Sequence, residues 1–112
     1  MTAERPTIST HVLDTQSGTP AVGVAVTLYR LDPASGPARL TTALTDEDGR
    51  IRDLLGRPLQ AGRYRLAFDT TRGREDSFFR YLAVEFEIRD VGRSYHVPLL
   101  LAPFGMTTYR GS

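Results

Sequence analysis

The sequence predicts an all-β sandwich, and two observations carry that prediction. Apolar residues alternate with other residues along three segments, 24–31, 63–69 and 82–89, as expected of strands whose successive side chains project to opposite faces of a sheet. Short turns rich in Gly, Pro, Asp and Ser separate the candidate strands. Seven or eight short antiparallel strands at this spacing are typical of two packed sheets.

The three clearest segments each have one apolar face. Their predicted core residues are Val24, Val26, Leu28, Tyr64, Leu66, Phe68, Leu82, Val84, Phe86 and Ile88. Weaker strand candidates cover 8–15, 38–45 and 51–55. The predicted turns fall at 18–20, 32–37, 46–49, 60–62 and 89–92. Only the segment 70–79 leaves room for a short helix of one or two turns.

The segment 95–106, YHVPLLLAPFGM, breaks the alternation because it is apolar at nearly every position. Both faces of such a strand require cover, and an apolar patch of this kind usually marks an interface. Pro98 lacks the N–H that a sheet ladder needs, which indicates an edge, a bulge or a partly paired strand. We therefore expect symmetric self-association of the chain.

The composition restricts the classes of protein that remain. The 112 residues correspond to one domain, of which we expect residues 1–6 to be disordered. There is no cysteine, and all fourteen basic residues are Arg, so cysteine and lysine nucleophiles are excluded. The net charge is +1 with the arginines scattered among carboxylates, which argues against nucleic-acid binding. No signal-peptide layout or membrane-spanning apolar run is present, so a soluble, cytoplasmic protein is expected.

Two histidines, His11 and His96, are the residues best suited to acid–base chemistry. Both fall in predicted strands, where a histidine can equally be structural, and two histidines alone do not make a zinc site. The stretch DEDGR at 46–50 mimics the start of a calcium loop, but Arg57 occupies the position that requires a bidentate Glu. The stretch is better interpreted as a turn from which Arg50 enters the next strand. From these residues alone, no reaction can be assigned.

Four motifs, taken together and in order along the chain, give more information about the reaction. They are STHVLD (9–14), TDEDGR (45–50), SYHVPLLLAPFG (94–105) and TTYRGS (107–112). Together they resemble the 5-hydroxyisourate hydrolase family, the transthyretin-related proteins of purine breakdown. The resemblance implies a transthyretin-like sandwich with one short helix, assembled as a homotetramer with cofactor-free active sites in clefts between subunits. It also implies hydrolysis of 5-hydroxyisourate to 2-oxo-4-hydroxy-4-carboxy-5-ureidoimidazoline in urate degradation.

The family's functional residues correspond to positions of this sequence. The resemblance assigns catalysis to His11, Arg50, His96 and Ser112, and substrate binding to His11, Arg50 and Tyr109. Our hypothesis takes His96 as the general base, with Arg50 lowering its pKa, His11 orienting or protonating the substrate, and Ser112 hydrogen-bonding the histidine or the water. No metal or cofactor is expected, and the role of Arg110 stays open.

Two positions depart from the family pattern. Met106 stands where a tyrosine is common, and Arg80 stands where a proline is usual, so the chain path near 80 is in doubt. The alternative functions are a non-catalytic transthyretin-like carrier of small aromatic ligands and a purely structural sandwich. Transthyretins proper lack the paired histidines and the YRGS ending, which favours the hydrolase.

Overall fold

The computed structural model describes residues 5–72 and 74–112, which form a sandwich of two sheets. Residues 1–4, and with them most of the segment expected to be disordered, lie outside the described residues. The all-β sandwich is confirmed, but the described residues form ten strands rather than the seven or eight predicted, because three comprise only two residues each. Two of the strand pairings are parallel, whereas antiparallel strands were predicted. The strands are β1 Ile8–Asp14, β2 Thr19–Pro20, β3 Ala25–Asp32, β4 Gly36–Leu44, β5 Arg50–Ile51, β6 Gly62–Asp69, β7 Tyr81–Ile88, β8 Tyr95–His96, β9 Leu99–Ala102 and β10 Gly105–Thr108.

The first sheet is regular and antiparallel, in the order β4-β3-β6-β7. Its inner face forms much of the core, and the predicted core residues of β3 and β6 are buried as expected. In β7 only Ile88 is fully buried, whereas the other three predicted residues are half-buried because β7 lies at the edge of the sheet. The Tyr64 hydroxyl donates to the Gln60 carbonyl at 2.6 Å, so this buried ring keeps a polar partner.

The second sheet is assembled around β1 from shorter pieces. The first half of β1 pairs with β5 and β8, and its second half pairs with β2 and β9, while β10 pairs with β9. The predicted strand at 51–55 is therefore wrong in extent, since only Arg50–Ile51 pairs with β1. The chain next returns to β1 at Leu54, whose N–H donates to the Ile8 carbonyl at 2.9 Å.

The apolar segment 95–106 forms β8, β9 and β10 rather than one strand. The ladder is interrupted at Pro98, which has no N–H to donate. Side chains satisfy the carbonyls at the interruption: the Thr10 hydroxyl donates to Val97 at 2.6 Å and the Thr108 hydroxyl donates to Pro98 at 2.8 Å. The chain then reverses at 103–104, where Phe104 is 78% exposed.

The short helix predicted at 70–79 does not form in the described residues 70–72 and 74–79. Two successive turns take its place, closed by hydrogen bonds from Arg74 N to Thr71 O and from Ser77 N to Arg74 O. The Arg80 guanidinium donates to several carbonyls of these turns. A side-chain donor therefore satisfies backbone groups that a helix would have paired internally. Among the residues described, no helix has the length and apolarity needed to cross a membrane.

Candidate active site

One face of β1 brings the predicted polar residues together. Alternate residues of β1 are buried in the core, so Ser9 and His11 project from the opposite, outer face. In the strand pairing, Arg50 lies directly opposite His11, and His96 lies directly opposite Ser9. Directly opposed residues have their side chains on the same face, about 4.5–5.5 Å apart at Cβ in antiparallel pairs. Four polar side chains thus converge outside the hydrophobic core.

The turn before β5 fixes Arg50 against β1. The carboxylate of Asp46 accepts hydrogen bonds from the backbone N–H of Arg50 and of Asp48, each at 2.9 Å. The Arg50 bond is the main reason that the pKa of Asp46 is lowered. This carboxylate therefore closes the turn that the sequence interpretation expected here.

Gly49 is required where this turn meets β1. Its φ is +73°, a left-handed conformation that side chains disfavour, and an added Cβ would overlap the Val12 carbonyl oxygen. The Val12 N–H donates to the Gly49 carbonyl at 2.7 Å. The backbone beside Arg50 is consequently docked against β1 as closely as a glycine allows.

His96 is half-buried and hydrogen-bonded through one ring nitrogen. Its Nδ1 lies 2.8 Å from the Ser9 hydroxyl, and its Nε2 makes no hydrogen bond within the described residues. Burial lowers the pKa of His96, and the charges of Arg50 and His11 lower it further. A pKa below the ordinary 6.5 means that the imidazole is mainly neutral at pH 7. The sequence interpretation expected the Arg50 effect and overlooked the larger effect of burial.

The YRGS segment packs directly on His96. The Gly111 N–H donates to the His96 carbonyl at 2.8 Å, and a Cβ on Gly111 would lie 2.5 Å from Cδ2 of the imidazole. The Arg110 guanidinium lies over the Tyr95 ring, 5.0 Å from its centroid, as in a cation–π contact. The segment is thus pinned to β8 by a backbone bond, a glycine contact and a stacked cation.

Tyr109 and Ser112, the two remaining predicted site residues, make fewer contacts with the histidines. Tyr109 is 53% exposed and lines an apolar cleft of about 240 Å³ together with Val84, Phe86, Val97 and His96. Ser112 is exposed, and its hydroxyl makes no hydrogen bond in the part of the chain that the structure describes. The structure therefore places Ser112 one residue beyond the His96 contact without bonding it to the imidazole.

A polar cleft of about 160 Å³ opens on the outer face, lined by Ser9, Arg50, Arg52 and His96 with Thr10 and Ile51. His96 lines both clefts, whereas His11 lines neither and adjoins the polar one only as the strand partner of Arg50. The described residues contain no group of three or more His, Asp or Glu side chains placed to hold a metal ion. The chemistry available in the polar cleft is that of a neutral imidazole beside fixed cations.

Sequence reasoning missed Ser9 and Arg52. Ser9 had a signal within the STHVLD motif, because residues two apart in a strand share a face and His11 was already a candidate. No local sequence signal indicated that Ser9 pairs with His96, because that contact joins residues 87 positions apart. Arg52 lies two residues after Arg50, but the strand predicted at 51–55 gave no reason to place it beside the histidines, and the observed strand already ends at Ile51.

Comparisons with known proteins agree with this fold. Residues 8–111 match the family model described as transthyretin, the HIUase/transthyretin family. The chain is 43% identical to the 5-hydroxyisourate hydrolase of Mus musculus, in a match that covers 100% of both chains. It is also 41% identical over 96% of its length to the "Uric acid degradation bifunctional protein TTL" of Arabidopsis thaliana, and it spans only 38% of that protein.

Solved structures extend the match to three dimensions. The 5-hydroxyisourate hydrolase of Klebsiella pneumoniae superposes with a TM-score of 0.81 at 41% identity, covering 95% of this chain and 99% of that one. Transthyretin from Sparus aurata gives a TM-score of 0.86 at 31% identity, with 95% and 97% coverage. The backbone alone does not separate the hydrolase from the transthyretin. The chain belongs to the HIUase/transthyretin family.

Proposed function

We propose that this chain hydrolyses 5-hydroxyisourate to 2-oxo-4-hydroxy-4-carboxy-5-ureidoimidazoline in urate degradation. The observation that carries the proposal is the placement of His11, Arg50 and His96 on one outer face, with the YRGS segment packed on His96. This chain is 43% identical to the 5-hydroxyisourate hydrolase of Mus musculus over the whole length of both chains, which supports the choice of substrate. The site, rather than the shared fold, carries the functional distinction, because one fold can host many functions.

His96 acts as the general base for the attacking water. Opening the ring requires a water to attack a ring carbonyl, so a nearby group must take a proton from that water. A base must be unprotonated to do this, and the lowered pKa of His96 keeps the imidazole neutral near pH 7. Nε2 is the ring nitrogen without a hydrogen bond in the described residues, and it is therefore the accepting atom.

Arg50 stabilises the negative charge that develops on the carbonyl oxygen. A guanidinium remains protonated throughout the pH range and presents a rigid fork of donors to a planar, carbonyl-bearing ring. Its backbone is held by Asp46 and Gly49, so the point on β5 from which the guanidinium extends is fixed before the substrate arrives. Pre-positioned donors of this type contribute most when charge develops in the transition state.

His11, Tyr109 and Ser112 complete the proposed site. His11, beside Arg50, orients the substrate or protonates the departing nitrogen. Tyr109 lines the adjoining apolar cleft and covers one face of the substrate. The Ser112 hydroxyl reaches the water or the imidazole only after a local rearrangement, since it is exposed and unbonded in this structure's described residues. Base, cation and acid all come from side chains, so the proposed reaction needs no cofactor.

We further propose a homotetramer with active sites at its subunit clefts. Phe104 and Phe78 are 78% and 70% exposed, and β7 and β10 each lie at a sheet edge, so apolar surface and backbone groups remain for a partner. Native mass spectrometry should give four times the chain mass. A monomer at micromolar concentration would contradict the assembly.

We propose the cytoplasm as the compartment of this protein, which cell fractionation tests.

The decisive experiment follows the ultraviolet decay of 5-hydroxyisourate generated in place by urate oxidase. The protein should accelerate decay above the spontaneous rate, and His96→Ala should lower kcat about 10²–10⁴-fold, the usual contribution of a general base. Circular dichroism and native mass spectrometry must show that the variant keeps the fold and assembly. Unaccelerated decay with folded protein would overturn the hydrolase and direct attention to carrier function, tested by ligand titration.

A further inference from the structure

We propose that Ser9 is a positioning residue for this reaction. Its hydroxyl accepts a hydrogen bond from Nδ1–H of His96, which leaves Nε2 unprotonated and able to accept the proton of water. The inference rests on the proposed function, in which His96 is the general base. It adds a residue outside the set assigned to catalysis or substrate binding.

The geometry of the contact is set by the sheet. The Ser9 hydroxyl and His96 Nδ1 are 2.8 Å apart, within the range of a good hydrogen bond. The two residues face each other in the parallel pairing of β1 and β8. Backbone bonds flank them on both sides, from Tyr95 N to Thr7 O at 2.8 Å and from Val97 N to Ser9 O at 2.9 Å. Two ladder bonds thus hold the hydroxyl against the ring.

The other edge of the ring is held by the YRGS segment. Gly111 packs against Cδ2, the carbon bonded to Nε2, so the imidazole lies between the Ser9 hydroxyl and the Gly111 backbone. The ring has little freedom to turn over. The location of the single imidazole proton, on Nδ1 or on Nε2, therefore decides whether Nε2 can accept a proton from water.

A neutral imidazole carries one N–H, and the hydrogen bond at one nitrogen determines the role of the other. If Ser9 accepts from Nδ1–H, then Nε2 is a base. If Ser9 instead donates to Nδ1, then Nε2 carries the proton and cannot accept one from water. Only the first arrangement is compatible with His96 as the base acting through Nε2.

Nitrogen-15 NMR of the imidazoles reads the tautomer directly, and with two histidines in the chain His11→Gln is sufficient for assignment. In wild-type protein near pH 8 we expect His96 to be protonated at Nδ1. Ser9→Ala should move protonation towards Nε2 and lower kcat by about 10–100-fold, as losses of ring-orienting partners do elsewhere, with little change in KM. Ser9→Thr keeps the hydroxyl and should restore both the tautomer and most of kcat.

Thr15→Val is the matched control. It removes a hydroxyl directly after β1 that donates to the Leu101 carbonyl at 2.8 Å, far from the imidazole in the ladder. The control should lose some stability while kcat and the His96 tautomer stay unchanged.

Several results would overturn the inference. These are an Nε2–H signal in active wild-type protein, an Ser9→Ala variant with normal kcat, and a loss of kcat without a change of tautomer. A loss as large as that of His96→Ala would also overturn the positioning role, because a residue that acts only through the imidazole should cost less than the imidazole itself. Wild-type protein without hydrolase activity would overturn the proposed function and the inference with it, whereas the other outcomes leave the hydrolase standing.

Discussion

The two sheets of the sandwich differ in how regular they are and in what they contribute. The sheet β4-β3-β6-β7 has strands of eight or nine residues in antiparallel register, with one irregularity between Leu28 and Tyr29. The sheet around β1 contains strands of two, four and seven residues in mixed orientation. All the converging polar residues lie on this second sheet. The regular sheet supplies buried apolar surface, and the interrupted one presents functional groups.

The short, interrupted strands of the second sheet allow its polar side chains to converge. Because β5 and β8 end after two residues, each delivers one side chain to the outer face and then leaves β1. The connecting segments are held by short-range devices, which are the Asp46 turn, the close approach of Gly49 and the contact of Gly111 with His96. Changes in the two sheets should therefore affect different properties of the protein.

The largest effect on stability is expected in the regular sheet. Leu66 of β6 has no solvent exposure, so Leu66→Ala removes buried methyl groups and leaves a cavity. We expect the free energy of unfolding to fall by about 2–5 kcal/mol, measured by urea denaturation, with kcat per folded molecule unchanged. A stable variant with lower kcat would show that the two sheets are not separable in this way.

The largest effect on activity after that of His96 is expected at Arg50. Arg50→Gln removes the pre-positioned cation and should lower kcat/KM about 10²–10³-fold in the ultraviolet assay, with little change in thermal stability. The matched control is Arg65→Gln, which breaks an exposed 2.7 Å ion pair with Glu85 in the regular sheet. It should change stability by less than about 1 kcal/mol and leave kcat/KM unaffected. Equal effects of the two variants would contradict the role of Arg50.

A smaller effect on activity is expected at Gly111. In Gly111→Ala the new methyl group would meet the imidazole, so either the ring or the YRGS segment must move. A displacement of about 1 Å can cost up to about 10²-fold in rate, and we expect kcat to fall about 10–100-fold while the unfolding midpoint shifts little. Gly105→Ala, where an added Cβ meets nothing within 4 Å, is the comparison variant. Normal kcat in Gly111→Ala would argue against tight packing of the segment on His96.

The smallest change is expected in the pH profile. Since burial, Arg50 and His11 lower the pKa of His96 below the ordinary 6.5, kcat/KM should rise with pH along a limb centred below 6.5 and level off above it. Activity is thus retained at neutral pH and lost as acid protonates the base. Arg50→Gln removes one repelling charge and should move the midpoint upward, though not to 6.5, because burial remains. A midpoint that moved downward would exclude this electrostatic coupling.

Local patterns in the sequence were sufficient for the regular sheet and for the turn that presents Arg50. Alternation predicted the buried faces of β3 and β6, because side-chain direction in a strand depends only on neighbouring residues. The DEDG turn was predicted for a similar reason, since Asp46 bonds backbone groups two and four residues ahead. Residue identity was likewise enough to single out His11, His96 and the YRGS motif.

Long-range packing decided the remaining features. The helix expected at 70–79 is replaced by turns whose carbonyls are satisfied by Arg80, and the strand expected at 95–106 is divided at Pro98, where hydroxyls from β1 and β10 take over. Pairing of Ser9 with His96 depends on the parallel register between strands 87 residues apart. No local pattern encodes such a register, because the register follows from how the whole sandwich packs its core. The register in turn places Ser9 on Nδ1 of His96 and so leaves Nε2 free.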